Sequence, residues 1–151
     1  MRCLFCGFVN KSVVVHEKGY PFTINYETKN TLSFLSADSP VNNEAHLIVI
    51  PKKHYKDFHS VPSPIKAELI EHISMIGKFY STKNQGYNIL LNNSETAGQA
   101  VPHSHFHIIP RKSGDGIKIE VWKHKKISPA AFKRLADKTR NEFRELIAYR
   151  G

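Results

Sequence analysis

Cysteine is scarce in this 151-residue chain. The two present, Cys3 and Cys6, sit close together near the start, so a disulfide framework is not expected. Long apolar runs are missing as well. The longest, Leu47–Ile50, falls far short of the roughly 20 residues that a membrane-crossing helix needs. The opening Met1-Arg2-Cys3-Leu4-Phe5-Cys6 has no apolar core of a secretory leader, and a cytoplasmic location is the expectation. There is no internal repeat, low-complexity tract or linker. Acidic residues are outnumbered, 13 against 22 Lys and Arg, which leaves a formal charge of +9. The excess is uneven, since residues 110–151 carry 12 basic and 5 acidic side chains. Such a tail suits a solvated basic face or a polyanionic partner: a nucleotide, a polyphosphate or a nucleic-acid strand. The rest is ordinary, with 40% hydrophobic and 23% charged residues, as expected of one soluble globular domain spanning 1–151.

What the chain does have is a run of histidines. In Val101-Pro102-His103-Ser104-His105-Phe106-His107-Ile108-Ile109-Pro110-Arg111 three imidazoles recur with period two. That period predicts a strand with His103, His105 and His107 on one face and Phe106 and Ile108 on the other. Pro102 and Pro110 fall where strand ends would be. Burying three imidazoles in register demands three sets of polar partners, so the face reads as a site. At the other end, Cys3-x-x-Cys6 can supply half of a tetrahedral zinc set if two more ligands come from elsewhere. A redox pair would need a leading strand, for which there is no room; two buried thiols without a role remain the plain alternative.

Between these lie short strand-like segments, 13–16, 22–26, 31–35 and 46–50, with turns at Lys18-Gly19 and Lys29-Asn30. A polar loop, 36–43, precedes the last of them, and Lys52-Lys53-His54 follows it. Ser63-Pro64 marks a helix start. Ile65, Leu69, Ile73, Ile76 and Tyr80 give a buried stripe over about 64–82, with His72 near its edge. Residues 86–93 read as a strand running into a loop, whose Gly98-Gln99 can bring backbone N–H groups close to a phosphate. After the turn at 113–116 comes an expected strand, 117–122, and Ser128-Pro129 opens a second helix with Phe132, Leu135, Phe143, Leu146 and Ile147 on one side. The order implies α+β with an antiparallel sheet.

These residues together resemble the histidine-triad (HIT) nucleotidyl hydrolases and transferases. The resemblance rests on His103-Ser104-His105-Phe106-His107-Ile108-Ile109, Cys3-x-x-Cys6, His46-x-x-x-Ile50-Pro51-Lys52-Lys53-His54, Asn92, Gly98-Gln99 and Pro110-Arg111, in the family's order. Gly114-Asp115-Gly116 followed by Trp122 resembles the zinc-containing bacterial and archaeal members. About residues 3–123 are covered, and the final helix, about 128–148, is less diagnostic. The resemblance implies a sheet of about five antiparallel strands with two main helices, continued across a homodimer. It implies chemistry at the α-phosphate of a nucleotide conjugate, with His105 as nucleophile and His107 binding and polarising the phosphate. It implies structural Zn2+ held by Cys3, Cys6, His54 and His103. Asn92, Gln99, Ala100, Val101, Phe34 and His46 fall at nucleotide- or phosphate-binding positions, Phe34 where a base stacks.

The chemistry is consistent. A neutral imidazole attacks with one nitrogen while the other donates to an acceptor that fixes the tautomer, and a neighbouring carbonyl can serve. Three positions depart from the family pattern: Ala100 stands for Ser or Thr, Ala45 for Gly, and Ser104 for an apolar residue. The ribose-binding acid has either Ser36 or Asp38 in its place. Two other readings are a hydrolase with a catalytic metal on the histidines, which lacks a flanking acid, and a basic zinc-containing nucleic-acid-binding module, for which Cys6 and His54 lie too far apart to match a compact finger.

Overall fold

The computed structural model describes residues 3–149 apart from 44, 84, 120, 122 and 124. In chain order the elements are α1 (Leu4–Val9), β1 (Ile24–Glu27), β2 (Thr31–Leu35), β3 (Leu47–Pro51), α2 (Ser63–Ser81), β4 (Gly86–Leu91), β5 (Phe106–Arg111) and α3 (Pro129–Ala148), with single 3-10 turns at Phe58–Ser60 and Glu95–Ala97. The strands form one antiparallel sheet in the order β1-β2-β3-β5-β4. The chain divides into two compact units, one ending at Ile117 and one beginning at Lys118.

Alternation along β3 and β5 assigns the two faces of the sheet. Leu47, Val49, Phe106 and Ile108 join the α2 stripe Leu69, Ile73, Ile76 and Tyr80 in one buried cluster. Leu32, Phe34, Ile48 and Ile50 point the other way and meet Phe5 and Phe8 of α1. His107 is opposite Ile48 in the β3–β5 register, which puts it on the α1 side. Truncating Leu69 or Ile108, neither exposed, would cost about 2–5 kcal/mol. α1 has only six residues and owes its existence to the burial of Phe5 and Phe8 more than to propensity. α2 runs 63–81 against the expected 64–82.

Several expectations need correction. The histidine strand begins only at Phe106. His103 N–H bonds to the Val101 carbonyl and Ser104 N–H to the Tyr55 carbonyl, so residues 103–105 leave the ladder. The three histidines therefore do not share one strand face. Pro110 lies inside β5, where only β4 is a neighbour because the β3 pairing stops at Ile108; its missing N–H costs no ladder bond there. Residues 13–16 contribute one isolated bridge, Val15 to Pro21, and the first strand is 24–27. Residues 117–119 are not a strand, while Trp122 of that expected strand lies outside the described residues. The turn itself is built as expected, with Gly114 at φ +74° and Gly116 at φ +72°, and Asp115 paired with Arg111 at 2.7 Å.

His72 is not at a core edge. It is 2% exposed, with Thr31 Oγ1 at 2.8 Å from Nδ1 and Ser33 Oγ at 2.9 Å from Nε2. Through Thr28 the network reaches Glu68, which also accepts from Asn30. In α3, Ser128 Oγ accepts from Ala131 N–H and Pro129 occupies the first turn. Phe132, Leu135, Phe143, Leu146 and Ile147 of that helix are all exposed.

Candidate active site

The first turn of α1 sets Cys3 and Cys6 side by side, because residues three apart in a helix share a face. The loop after β3 delivers His54, and the turn before β5 delivers His103. The ligating atoms of these four residues all lie within 4.8 Å of one another. His103 Nδ1 is 3.5 Å from Cys3 Sγ and 3.7 Å from Cys6 Sγ, and His54 Nδ1 is 3.4 Å from Cys6 Sγ. Zinc bonded to sulfur and nitrogen at usual lengths implies tetrahedral S···N edges of about 3.5 Å. The residues therefore fit the ion. His103 Nε2–H donates to the Pro51 carbonyl at 2.8 Å, which leaves the lone pair on Nδ1, the nitrogen facing the sulfurs. Burial, and then the adjacent Cys3, push the Cys6 thiol up to about 11; without a cation this corner disfavours thiolate.

His105 points elsewhere. Its Nδ1–H donates to the His103 carbonyl at 2.7 Å, so the neutral ring carries its lone pair on Nε2. It lines a cleft of about 140 Å³ together with His107, His46, Ala100 and Val101. Phe5, Phe22, Phe34 and Ile48 form the apolar walls, and Ser36, Asp38 and His16 the polar rim. Burial lowers the His105 pKa, opposed by that carbonyl bond. Burial, reinforced by His105 and His46, brings His107 down to about 4. Near neutral pH the imidazoles of His46, His105 and His107 are therefore uncharged.

A second relay orients His107. His46 Nδ1–H donates to the Asp38 carbonyl at 3.2 Å, so its Nε2 accepts, and His107 Nδ1–H is the donor across 3.0 Å. His107 thereby also presents Nε2. The rings of His105 and His107 lie 4.9 Å apart, edge to face. Both nitrogens of His46 are occupied, which makes it a positioning residue for His107.

The loop between β4 and β5 behaves differently from expectation at two positions. Gln99 is 5% exposed; its carbonyl accepts from Ser94 N–H and its amide donates to the Lys56 carbonyl, both at 2.8 Å. Its side chain pins the loop, with the carbonyl oxygen and one of the two amide hydrogens engaged there. Asn92 donates to the Gly98 carbonyl at 3.4 Å and is not among the residues lining the cleft. Ala100 and Val101 do line it, and Phe34 packs edge-on to Phe5 with ring centroids 5.4 Å apart. Ser36 and Asp38 both reach the rim: Ser36 Oγ accepts from Asp38 N–H, while the Asp38 carboxylate pairs with Lys18.

Sequence reading passed over α1, the pairing of His46 with His107, and the contribution of His16 and Phe22 to the cleft. Only the first had a local signal, Phe5 and Phe8 flanking the cysteine spacing. Of the other two readings, a catalytic metal on the triad does not match: among the described residues the metal-competent set takes His103 but neither His105 nor His107. No described helix is long and apolar enough to cross a membrane.

Several known proteins are similar to this chain. An uncharacterized HIT-like protein of Methanocaldococcus jannaschii is 39% identical over 118 residues, covering 76% of this chain and 82% of its own. The adenosine 5'-monophosphoramidase of Schizosaccharomyces pombe is 32% identical over 138 residues, 91% of this chain and 95% of its own. The crystal structure of a histidine triad nucleotide-binding protein from Candida albicans superposes with a TM-score of 0.78 at 28% identity, covering 96% and 99% of the two chains. The family model described as the HIT domain matches residues 17–114, a span that takes in the sheet, most of the cleft lining and all three histidines of the triad, and the chain belongs to the HIT family.

Proposed function

We propose that this protein is a nucleotidyl hydrolase or transferase that works on the α-phosphate of a purine nucleotide conjugate through a covalent nucleotidyl-histidine at His105. The observation that carries this is the His105 ring, fixed by its Nδ1–H bond to the His103 carbonyl at 2.7 Å with Nε2 left for phosphorus. Adenosine is the favoured nucleoside, by analogy with the fission-yeast relative's name.

In the first step Nε2 forms a bond to the α-phosphorus and the bond to the leaving group breaks. The leaving atom departs with the electron pair and takes up a proton. In the second, water attacks the same phosphorus, the P–N bond breaks, and its electron pair returns to Nε2. Water's proton is lost to solvent or to a cleft imidazole, and the nucleoside monophosphate leaves. The negative charge developing on phosphate oxygens needs donors already in place. Backbone N–H groups at Ala100 and Val101 are the donors beside the cleft, and Gln99 holds that backbone rigid. His107 meets the phosphate through Nε2 once that nitrogen carries a proton. Ala100 offers no hydroxyl to a departing amine, so leaving groups that depart as stable anions, such as pyrophosphate or carboxylate, should be turned over faster than amines.

Cys3, Cys6, His54 and His103 are proposed to hold Zn2+, a reading supported by their four ligating atoms lying within 4.8 Å of one another, with the chain a member of the zinc-bearing branch. Four protein ligands fill a tetrahedron, so the ion supplies a fixed cross-link with no open position for water. It would tie α1 to the turn that carries His105, a rigidity that nucleophile placement rewards. A homodimer is proposed on the edge strand β4, whose Tyr87 and Ile89 are exposed along with Ile70 and Phe79 of α2. The functional reading is tested by turnover of ATP, diadenosine tetraphosphate and adenosine monophosphate linked to lysine. Hydrolysis by the native protein and none by His105→Ala, at equal circular dichroism, supports it; activity that survives His105→Ala refutes it.

A further inference from the structure

Beside the reaction cleft lies a wider one, of about 440 Å³, that the chemistry above leaves unused. The two share His16, Phe22, Ser36 and Ala37. The far wall is a hairpin closed by the Val15–Pro21 bridge. His16 N–H bonds to the Tyr20 carbonyl and Gly19 N–H to the His16 carbonyl, both at 2.8 Å, and Gly19 turns the tip at φ +81°. The ion pair of Lys18 with Asp38 fastens that tip to the rim of the reaction cleft. A fastened wall makes a preformed subsite, as ligand pockets usually are.

The lining says what fits. Among the described residues of its lining there is no Lys, Arg, Asp or Glu, whereas Tyr20, Phe22, Thr23, Ser36 and Ser39 are present. Tyr20 is 56% exposed, so a ring face is open to stacking. His16 Nδ1 accepts from Lys18 N–H at 3.2 Å, and the neutral ring therefore has its hydrogen on Nε2, a donor. Aromatic faces ringed by neutral hydroxyls and one imidazole donor suit an uncharged planar heterocycle, such as a nucleobase, and do not suit a bare phosphate.

The position says how it is attached. In the reaction cleft the apolar slot of Phe5, Phe34 and Ile48 suits a base, and Ser36 and Asp38 are polar groups at its rim suited to sugar hydroxyls. The wider cleft is entered across Ser36 and so from the sugar edge. We propose that it is a second base subsite, and that this protein prefers a nucleotide extended at its ribose by a second nucleotide. The first nucleotide sits with its α-phosphate at His105, the linking phosphodiester crosses the junction beside His16, and the second base stacks on Tyr20. This rests on the reading of His105 as the nucleotidyl acceptor.

The test compares two inhibitors of adenosine monophosphate–lysine hydrolysis: AMP and the 5'-phosphorylated, 3'-linked adenosine dinucleotide. A stacked base typically strengthens binding by about ten-fold or more. The native protein should prefer the dinucleotide by that ratio. Tyr20→Ala should bring the ratio close to one, and Tyr20→Trp, which keeps a stacking face, should preserve it. Equal inhibition by the two compounds in the native protein, or an unchanged ratio in Tyr20→Ala, overturns the second subsite alone. If the conjugate is not hydrolysed and AMP does not bind, the underlying reading falls as well.

Discussion

Replacing His72 with glutamine should flatten the acid limb of the stability curve. His72 is 2% exposed between the hydroxyls of Thr31 and Ser33, and Tyr26 meets its ring edge to face at 5.0 Å. Burial lowers its pKa to about 4, against a weak upward pull from Glu68. The unfolded chain binds the proton near pH 6.5, whereas the folded chain resists until about 4. A depressed histidine thus contributes nothing unfavourable above pH 6.5, and stability falls as pH drops between those values. The slope is about 1.4 kcal/mol per pH unit, or about 2 kcal/mol by pH 5. His103 and His107 are lowered to about 4 as well, so the native protein alone cannot isolate the His72 share. The difference between native protein and His72→Gln does isolate it. Glutamine can hydrogen-bond to both hydroxyls but does not titrate. Urea unfolding at pH 7.0, 6.0 and 5.0 would measure the effect. The expected result is a difference that moves toward the variant by about 2 kcal/mol between pH 7 and 5. Parallel pH dependences for the two proteins would refute the buried, neutral state of His72.

Three further outcomes follow from the site. Cys6→Ser should lower metal content from about one zinc per chain to well below it, with loss of thermal stability that added zinc does not restore; full zinc occupancy by elemental analysis would remove Cys6 from the ligand set. Ser104 Oγ is buried with no hydrogen-bond partner among the described residues, so Ser104→Ala should leave stability unchanged or raise it by about 1 kcal/mol, and a loss of more than that in denaturant titration would mean that the hydroxyl has a role. His46→Phe keeps a ring of similar bulk but breaks the relay from the Asp38 carbonyl to His107. It should lower kcat by about 10- to 100-fold with a smaller change in KM, and an unchanged kcat would leave His46 with packing alone.

How much of this could be read from the residues varies with the range of the interactions. The α2 stripe and its Ser63-Pro64 start were legible because period 3.6 is a local signal, and β2 and β3 because Thr31–Leu35 and Leu47–Ile50 are short segments rich in strand-forming residues and bounded by turn residues or proline. The triad was legible as a site but not as a shape. Period two predicted a strand from His103, yet His103 turns toward Cys3 and Cys6, about 100 residues away in sequence, and Ser104 N–H goes to Tyr55. These long-range bonds override the local preference. Gln99 is a similar case. An amide in a glycine-containing loop reads as a phosphate donor, whereas its bonds to Ser94 N–H and the Lys56 carbonyl, which pin the loop, have no local signal. The hairpin at 15–21 was legible as a turn at Lys18-Gly19 between strand-like segments, but the ion pair between Lys18 and Asp38 lies in no short window. Ala100, by contrast, needed no long-range information to be noticed: the lack of a hydroxyl is visible in sequence, and the residue lines the cleft.

The most direct measurement is a rapid acid-free quench of the protein with an adenosine monophosphate conjugate, followed by peptide mass spectrometry under conditions that preserve P–N bonds. A nucleotidyl adduct on the peptide containing His105, absent in His105→Ala and chased away by time, is the predicted result. Steady turnover with no adduct at any quench time, or an adduct on His107 in place of His105, would contradict the account.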